Sequence, residues 1–296
     1  MKVAISGTNG LIGRNLSSYL KKKKIKLIKL QNKEKKGTFK WRLGEVLPSQ
    51  VLSSNIFIHC AFDRHSLNIK EDLEKNINII GLIKILNQLK KKKILFFYIS
   101  SQTSHKNIES NYGKIKFLSE KIIKKNQGNK NIIIKAGIIY SKSQSNVINY
   151  LKKILSFGLF FYFSKKKNIY PISVDDFCEC IYKIIKLKKI DKNYNLGWPN
   201  PLTLVDFAKF ICRDNNIKYP FFIYISKDIL ILFASILDFF NFSNISLVER
   251  IKSLDTMPLL KCKESIRKIN HFFLKKFTLT YFILFHFINN LSKNIL

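Results

Sequence analysis

The chain has 296 residues, is 46% hydrophobic with 25 phenylalanines, and carries a formal net charge of +34. That size and apolar content suit one large domain or a domain with a smaller lobe. The charge is almost all lysine, scattered in short runs (residues 21–24, 90–93, 165–167), and it accompanies an excess of Ile, Asn, Phe and Tyr over Gly, Ala, Pro and Arg. This joint skew reads as codon bias and speaks against a dedicated nucleic-acid surface, for which arginine is the preferred fork. Non-specific, salt-sensitive sticking to polyanions is expected, with no specific nucleic-acid partner.

Residues 2–6 form a short β-branched apolar run, read as a buried strand. Gly7, Thr8, Asn9, Gly10, Leu11, Ile12 and Gly13 follow, and apolar positions then recur at helical spacing. A strand therefore runs into a glycine turn that opens a helix. In such a turn Gly7 supplies the sharp bend, Gly10 lets a pyrophosphate approach the backbone, and Gly13 lets the helix pack on the sheet. Free N–H groups at the helix start favour the phosphates. A tight turn with no ligand is the plain alternative. The β-pattern begins at residue 2, which predicts no signal peptide.

Residues 25–30 read as the second strand. Where an NAD-binding chain places a carboxylate for the adenine ribose, this sequence has Gln31, followed by Asn32, Lys33, Lys35 and Lys36. The cofactor expected is NADP or NAD, with NADP slightly favoured. Residues 55–60, 94–101 and 131–136 read as further buried strands, and 76–89 and 112–124 as amphipathic helices. The alternation predicts an α/β, Rossmann-like, doubly wound parallel sheet over residues 1–165, with sheet elements also near 169–197. Residues 198–296 are expected to form a smaller, mostly helical substrate lobe and tail. Residues 221–240 are strongly apolar but interrupted by Lys227, Asp228 and Asp238. They read as a pair of buried or interfacial helices, and no membrane span is expected there or in the shorter stretch 279–288.

Five cysteines (Cys60, Cys178, Cys180, Cys212, Cys262) are an odd number without metal-ligand spacing. They predict free thiols in a reducing, cytoplasmic setting and no metal site.

Tyr112 and Lys116 stand four apart on a predicted helix and so share a face. A nearby ammonium is expected to lower the phenol pKa, and Ser101 at the end of the preceding strand can polarise a carbonyl. The same spacing recurs at Tyr19/Lys23, Tyr162/Lys166 and Tyr182/Lys186, so position rather than spacing singles out Tyr112.

These motifs, in this order, resemble the extended short-chain dehydrogenase/reductases, specifically the NAD-dependent epimerase/dehydratase family. Besides the glycine turn, Ile58-His59-Cys60-Ala61 resembles the family segment near the nicotinamide ribose. Asn78-Ile-Ile-Gly81 resembles the helix whose Asn is a structural and proton-relay residue. Tyr112-Gly-Lys-Ile-Lys116 with Glu120 resembles the catalytic helix, and Pro171–Asp176 and Tyr194–Gly197 resemble later family segments. The resemblance implies a Ser101–Tyr112–Lys116 site, with Lys116 also holding the nicotinamide ribose and His59, Cys60 and Ala61 beside the cofactor. It implies a small-molecule substrate, a nucleotide-linked sugar, and allows a homodimer. Three departures stand out. Lys135-Ala136-Gly137 replaces Arg-Pro-Gly, the Ser101–Tyr112 interval is short, and Gln102, Thr103 and Ser104 stand where dehydratases carry acids. Thr103 is a candidate substitute for Ser101. Two other readings stay open: an inactive dinucleotide-binding structural or regulatory protein, and work on a lipid-linked substrate at a membrane surface.

Overall fold

The computed structural model describes residues 1–68, 72–90, 92–126, 130–141, 146–239 and 246–269. The chain opens with β1 (Lys2–Ser6), α1 (Leu11–Lys22), β2 (Lys26–Gln31), β3 (Phe39–Lys40), α2 (Ser49–Leu52) and β4 (Ile56–His59). It continues with α3 (Ile77–Leu89), β5 (Leu95–Ser101), α4 (Asn111–Lys125), β6 (Asn131–Ala136) and β7 (Ile138–Tyr140). Then come α5 (Asn146–Ser156), β8 (Leu159–Tyr162), β9 (Pro171–Ser173), α6 (Val174–Lys186) and β10 (Asn193–Leu196). The last described elements are α7 (Leu204–Asp214), β11 (Phe221–Tyr224), α8 (Lys227–Phe239), α9 (Leu247–Asp255) and α10 (Cys262–Ile269).

Seven strands form one parallel sheet in the order β10-β6-β5-β4-β1-β2-β3. Successive side chains feed opposite faces, and both faces are covered. Val3, Ile5 and Phe97 pack with Phe177 and Ile181 of α6 on one side. Ala4, Phe57 and Phe96 pack with Leu82 and Leu86 of α3 on the other. Each large side chain removed from water this way contributes about 2–3 kcal/mol, which is why strands with no polar face are stable here. The sheet grows from β1 toward β3 on one side and from β4 toward β10 on the other. A crevice therefore opens at the C-terminal ends of β1 and β4, where ligands bind in such sheets.

Side chains mark the helix starts. Asn76 caps α3, Ser110 accepts from the Gly113 N–H of α4, and Ser173 accepts from the Asp176 N–H of α6. Tyr140, Ile148, Leu155, Phe160, Phe207 and Ile211 form a separate core that joins β7, α5, β8 and α7. That second core thus takes chain from before and after β9, α6 and β10, of which α6 and β10 pack in the main body.

Residues 221–240 differ from the expected pair of helices. Residues 221–224 are a strand, paired in parallel with β8 (Phe221 with Leu159, Tyr224 with Tyr162), and a single helix follows. Four consecutive bulky residues with an aromatic partner strand favour extended backbone over a helical turn. No helix among the described residues is long and apolar enough to cross a membrane. Residues 279–288 lie outside the described residues.

Candidate active site

The glycine turn is built by close backbone approach. Gly7 has φ +70°, and a Cβ there would lie 2.7 Å from the Ala61 nitrogen, so β1 can meet β4's exit only with glycine. A Cβ on Gly13 would collide with the Gly7 carbonyl. Gly10 N-caps α1 without a side-chain hydrogen bond, and the first turn holds no acid. The N–H groups of Leu11, Ile12 and Gly13 at that helix start suit an anionic ligand.

Beside the turn lies a cleft of about 430 Å³ lined by Gly7, Asn9, Gly10, Gln31 and Asn32, by Trp41, Arg42 and Leu43, and by Cys60, Ala61, Phe62, Asp63 and Ile77. Six of the sequence-predicted binding residues (Gly7, Asn9, Gly10, Gln31, Cys60, Ala61) line it. Thr8 is buried, its hydroxyl donating to the Leu30 carbonyl at 3.1 Å, and it braces the turn from behind. Lys33 is exposed in the bend after β2 and is not part of the lining.

His59 is buried behind the cleft floor rather than on it. Ser6 Oγ accepts from the backbone N–H groups of Cys60 and Ala61 at 3.2 and 3.3 Å and lies 2.8 Å from His59 Nδ1. With both lone pairs engaged, the Ser6 hydroxyl donates to Nδ1, which makes His59 a neutral acceptor. Burial, and then the Lys116 charge, push its pKa down to about 3. Burial pushes the Cys60 thiol up to about 12 against the pull of Lys116, so it stays protonated. All five cysteines are free, and no cluster of metal-ligating side chains occurs among the described residues.

Phe62 connects the cleft to the predicted proton-transfer residues. Its ring centre lies 5.0 Å from that of Tyr112 and 4.8 Å from Lys116 Nζ. Lys116 is buried, donates to the Ile99 carbonyl at 2.8 Å and lies 4.7 Å from the Tyr98 ring centre. Burial lowers its pKa to about 8, with Cys60 and Glu120 opposing. Ser101 Oγ accepts from the Thr103 N–H at 3.3 Å and the Thr103 hydroxyl at 3.0 Å. The Ser101 hydroxyl also pulls the Tyr112 phenol pKa down. Thr103 is thus Ser101's supporter.

The Tyr112 phenol departs from expectation. Burial raises its pKa, opposed first by the Arg64 charge and then by the Ser101 hydrogen bond, while Lys116 is not among the causes. Lys116 Nζ sits 5.9 Å from the Tyr112 ring centre and is spent on the Ile99 carbonyl. Arg64, two residues beyond Phe62, was not singled out by sequence, because an isolated arginine in a loop carries no periodic signal. Its charge also bears on Arg250 of α9, whose guanidinium lies 4.6 Å from the Tyr150 ring centre. The Asn111 N–H donates to Glu249 Oε2 at 2.7 Å, which ties the start of α4 to α9.

Asn78 accepts from the Asp63 N–H at 2.8 Å and donates to the Asp63 carbonyl at 3.0 Å, so it holds the loop that carries Phe62 and Arg64. Lys135, which stands where the family pattern has arginine, lies 3.3 Å from buried Glu120 and donates to the Ser104 carbonyl at 2.6 Å. Glu120 also accepts from Ser100 at 2.6 Å. This network fixes β5, β6 and α4 behind the site without the missing proline.

The family model described as RmlD substrate binding domain matches residues 1–220. A comparison with curated protein sequences finds no match. Among solved structures, the chain is similar to a dTDP-4-dehydrorhamnose reductase from Bacillus anthracis in complex with NADP, at 19% identity and a TM-score of 0.63, covering 85% of this chain and 97% of that one. A hypothetical dTDP-4-dehydrorhamnose reductase from Sulfolobus tokodaii is similar at 20% identity and a TM-score of 0.61, covering 76% and 86%. A UDP-glucose 4-epimerase from Thermotoga maritima with UDP-glucose is similar at 16% identity and a TM-score of 0.60, again covering 76% and 86%. With the family model matching most of its length, this chain belongs to the RmlD substrate binding domain family, within the extended short-chain dehydrogenase/reductases, NAD(P)-dependent reductases and epimerases.

Proposed function

We propose that this protein reduces the keto group of a nucleotide-linked sugar, with Tyr112 as proton donor, Ser101 as the hydroxyl that polarises the carbonyl, and Lys116 as the cation beside the nicotinamide ribose. The observation that carries this is the packing of Tyr112 and Lys116 on Phe62, which itself lines the glycine-turn cleft. The cleft fits a dinucleotide because the turn leaves no Cβ where a pyrophosphate would approach and the helix start offers free N–H groups. The bound cofactor supplies a hydride.

The remaining chemistry belongs to the chain. At neutral pH Tyr112 is protonated, since burial raises its pKa, and it can deliver the phenolic proton to the carbonyl oxygen as negative charge develops there. Ser101, held by Thr103, donates to the same carbonyl oxygen, and the Arg64 charge stabilises the tyrosinate that remains. The Arg64 charge bears on Tyr112 and on Arg250 alike, and two such cations suit the diphosphate of a nucleotide-linked substrate.

The test is consumption of NADPH with dTDP-4-dehydrorhamnose as substrate. Tyr112→Phe is expected to lower turnover by about a thousandfold while cofactor affinity stays within about twofold. Full turnover in that variant overturns the proton-donor assignment. Interconversion of nucleotide-linked epimers without net NADPH consumption replaces reduction by epimerisation. Cofactor binding with no turnover of either kind, indifferent to Tyr112, supports the inactive dinucleotide-binding reading instead.

A further inference from the structure

The adenosine end of the cleft holds a cation that the sequence pattern does not mark. β2 and β3 pair Gln31 with Lys40, and the Trp41 N–H donates to the Gln31 carbonyl at 2.8 Å. The chain therefore leaves β3 with Arg42 beside the end of β2, and Arg42 and Asn32 both line the cleft.

The local hydrogen bonds leave the Arg42 head available. Its backbone N–H donates to Glu45 Oε2 at 2.8 Å, and its carbonyl accepts from the Glu45 N–H at 3.1 Å. One oxygen of the nearby Glu45 carboxylate is thus engaged by the Arg42 backbone. The guanidinium has no hydrogen bond or ion pair among the described residues. Asn32 Oδ1 accepts from Asn9 Nδ2 at 2.8 Å, which leaves Asn32's own amide hydrogens as donors.

No carboxylate lines the cleft at the end of β2. Gln31 and Asn32 close β2, and the acid in the lining, Asp63, belongs to the loop after β4, where it accepts from the His65 N–H at 3.2 Å. Six of the 53 basic residues are arginines, so a guanidinium here is not the chain's default cation. Its planar fork matches two oxygens of a phosphate at once, which a lysine ammonium cannot do. An uncharged ribose diol offers it far less.

We propose that Arg42, assisted by the Asn32 amide, holds the 2′-phosphate of NADP(H) and sets the preference for NADP(H) over NAD(H), whereas Lys33 does not. This rests on the dinucleotide reading of the cleft made above.

The test is fluorescence titration of the full chain with NADPH and with NADH at fixed ionic strength, for the wild type, Arg42→Ala and Lys33→Ala. The competitors 2′,5′-ADP and 5′-AMP report on the adenosine end alone. Arg42→Ala is expected to weaken NADPH and 2′,5′-ADP by about 10- to 100-fold and to leave NADH and 5′-AMP within about threefold. Lys33→Ala is expected to change all four by no more than about twofold. Equal loss for both dinucleotides overturns the proposal, because Arg42 would then act on the shared adenine or pyrophosphate. So does no loss for either, or a selective loss in Lys33→Ala. If the wild type binds neither dinucleotide, the cleft reading itself fails. If it binds both and Arg42→Ala does not separate them, only the present proposal fails.

Discussion

Ser6 and His59 show how one buried hydrogen bond sets both a protonation state and a pH dependence. The imidazole sits among the rings of Trp41, Phe57, Phe96 and Tyr98, with Nδ1 accepting from Ser6. Its folded pKa is about 3, against an unfolded value of 6.5. Between those two values the unfolded chain binds a proton that the folded chain refuses. Stability therefore falls as pH drops from 6.5 toward 3, by on the order of 2 kcal/mol between pH 6.5 and 5. Urea unfolding across that range is expected to be steeper in pH for the wild type than for His59→Gln, and parallel curves would remove His59 as the cause. Lys116 has the same sign in another window. Its pKa falls from 10.5 to about 8, so the cost of burying its charge is present in full below pH 8 and is relieved as pH rises toward 10.5. At this scale sequence and structure part company over Tyr112. Spacing placed Lys116 on the same face as Tyr112, yet which cation acts on the phenol depended on where the Phe62–Arg64 loop folded back.

Among the elements, the start of α1 separates two uses of glycine. Gly13 is a packing residue, since a Cβ there would strike the Gly7 carbonyl. Gly10 has φ −79°, open to any residue, and a Cβ would stand 3.3 Å from the Gly7 oxygen. Gly13→Ala is expected to destabilise the fold by about 2 kcal/mol in thermal or urea unfolding, because β1 and α1 must separate. Gly10→Ala is expected to leave stability nearly unchanged and to weaken NADPH by about tenfold, since the methyl would occupy the approach to the backbone. Equal effects of the two on stability would show that Gly10 is only part of the turn. The long elements were legible because β1, β4, β5 and β6 are continuous apolar runs and α3 and α4 are periodic. β3 was not legible: two residues, both exposed, carry no pattern, yet this strand delivers Trp41 and Arg42 to the cleft. β11 was misread because Phe-Phe-Ile-Tyr is equally apolar as helix or strand, and only its pairing with β8 decides.

For the whole molecule the dominant quantity is a net charge of +34 on 296 residues. Ion pairs offset little of it. Lys227 with Asp255 at 2.8 Å and Lys268 with Asp191 at 2.6 Å are partly or largely solvated, and solvent screening leaves such pairs weak. Self-repulsion therefore opposes the compact state and is screened by salt. The melting temperature is expected to rise by several degrees between about 0.05 and 0.5 M NaCl, and binding to heparin to be lost over the same range. A melting temperature independent of salt would mean that the lysine side chains keep far enough apart to be solvated singly.

The sequence by itself determined the parallel sheet, the glycine turn at its head, and the Ser101, Tyr112 and Lys116 positions at strand and helix ends. These follow from patterns local in the chain: apolar runs, helical periodicity, and glycines where backbone must pass close to backbone. Only the tertiary structure decided that His59 lies behind the cleft and Lys33 outside its lining. It alone showed Thr103 supporting Ser101, Arg64 acting on Tyr112, and Arg42 in the lining of the cleft. Those assignments depend on which loops meet across the sheet edge, and a contact between residues far apart in sequence leaves no periodic trace in either of them.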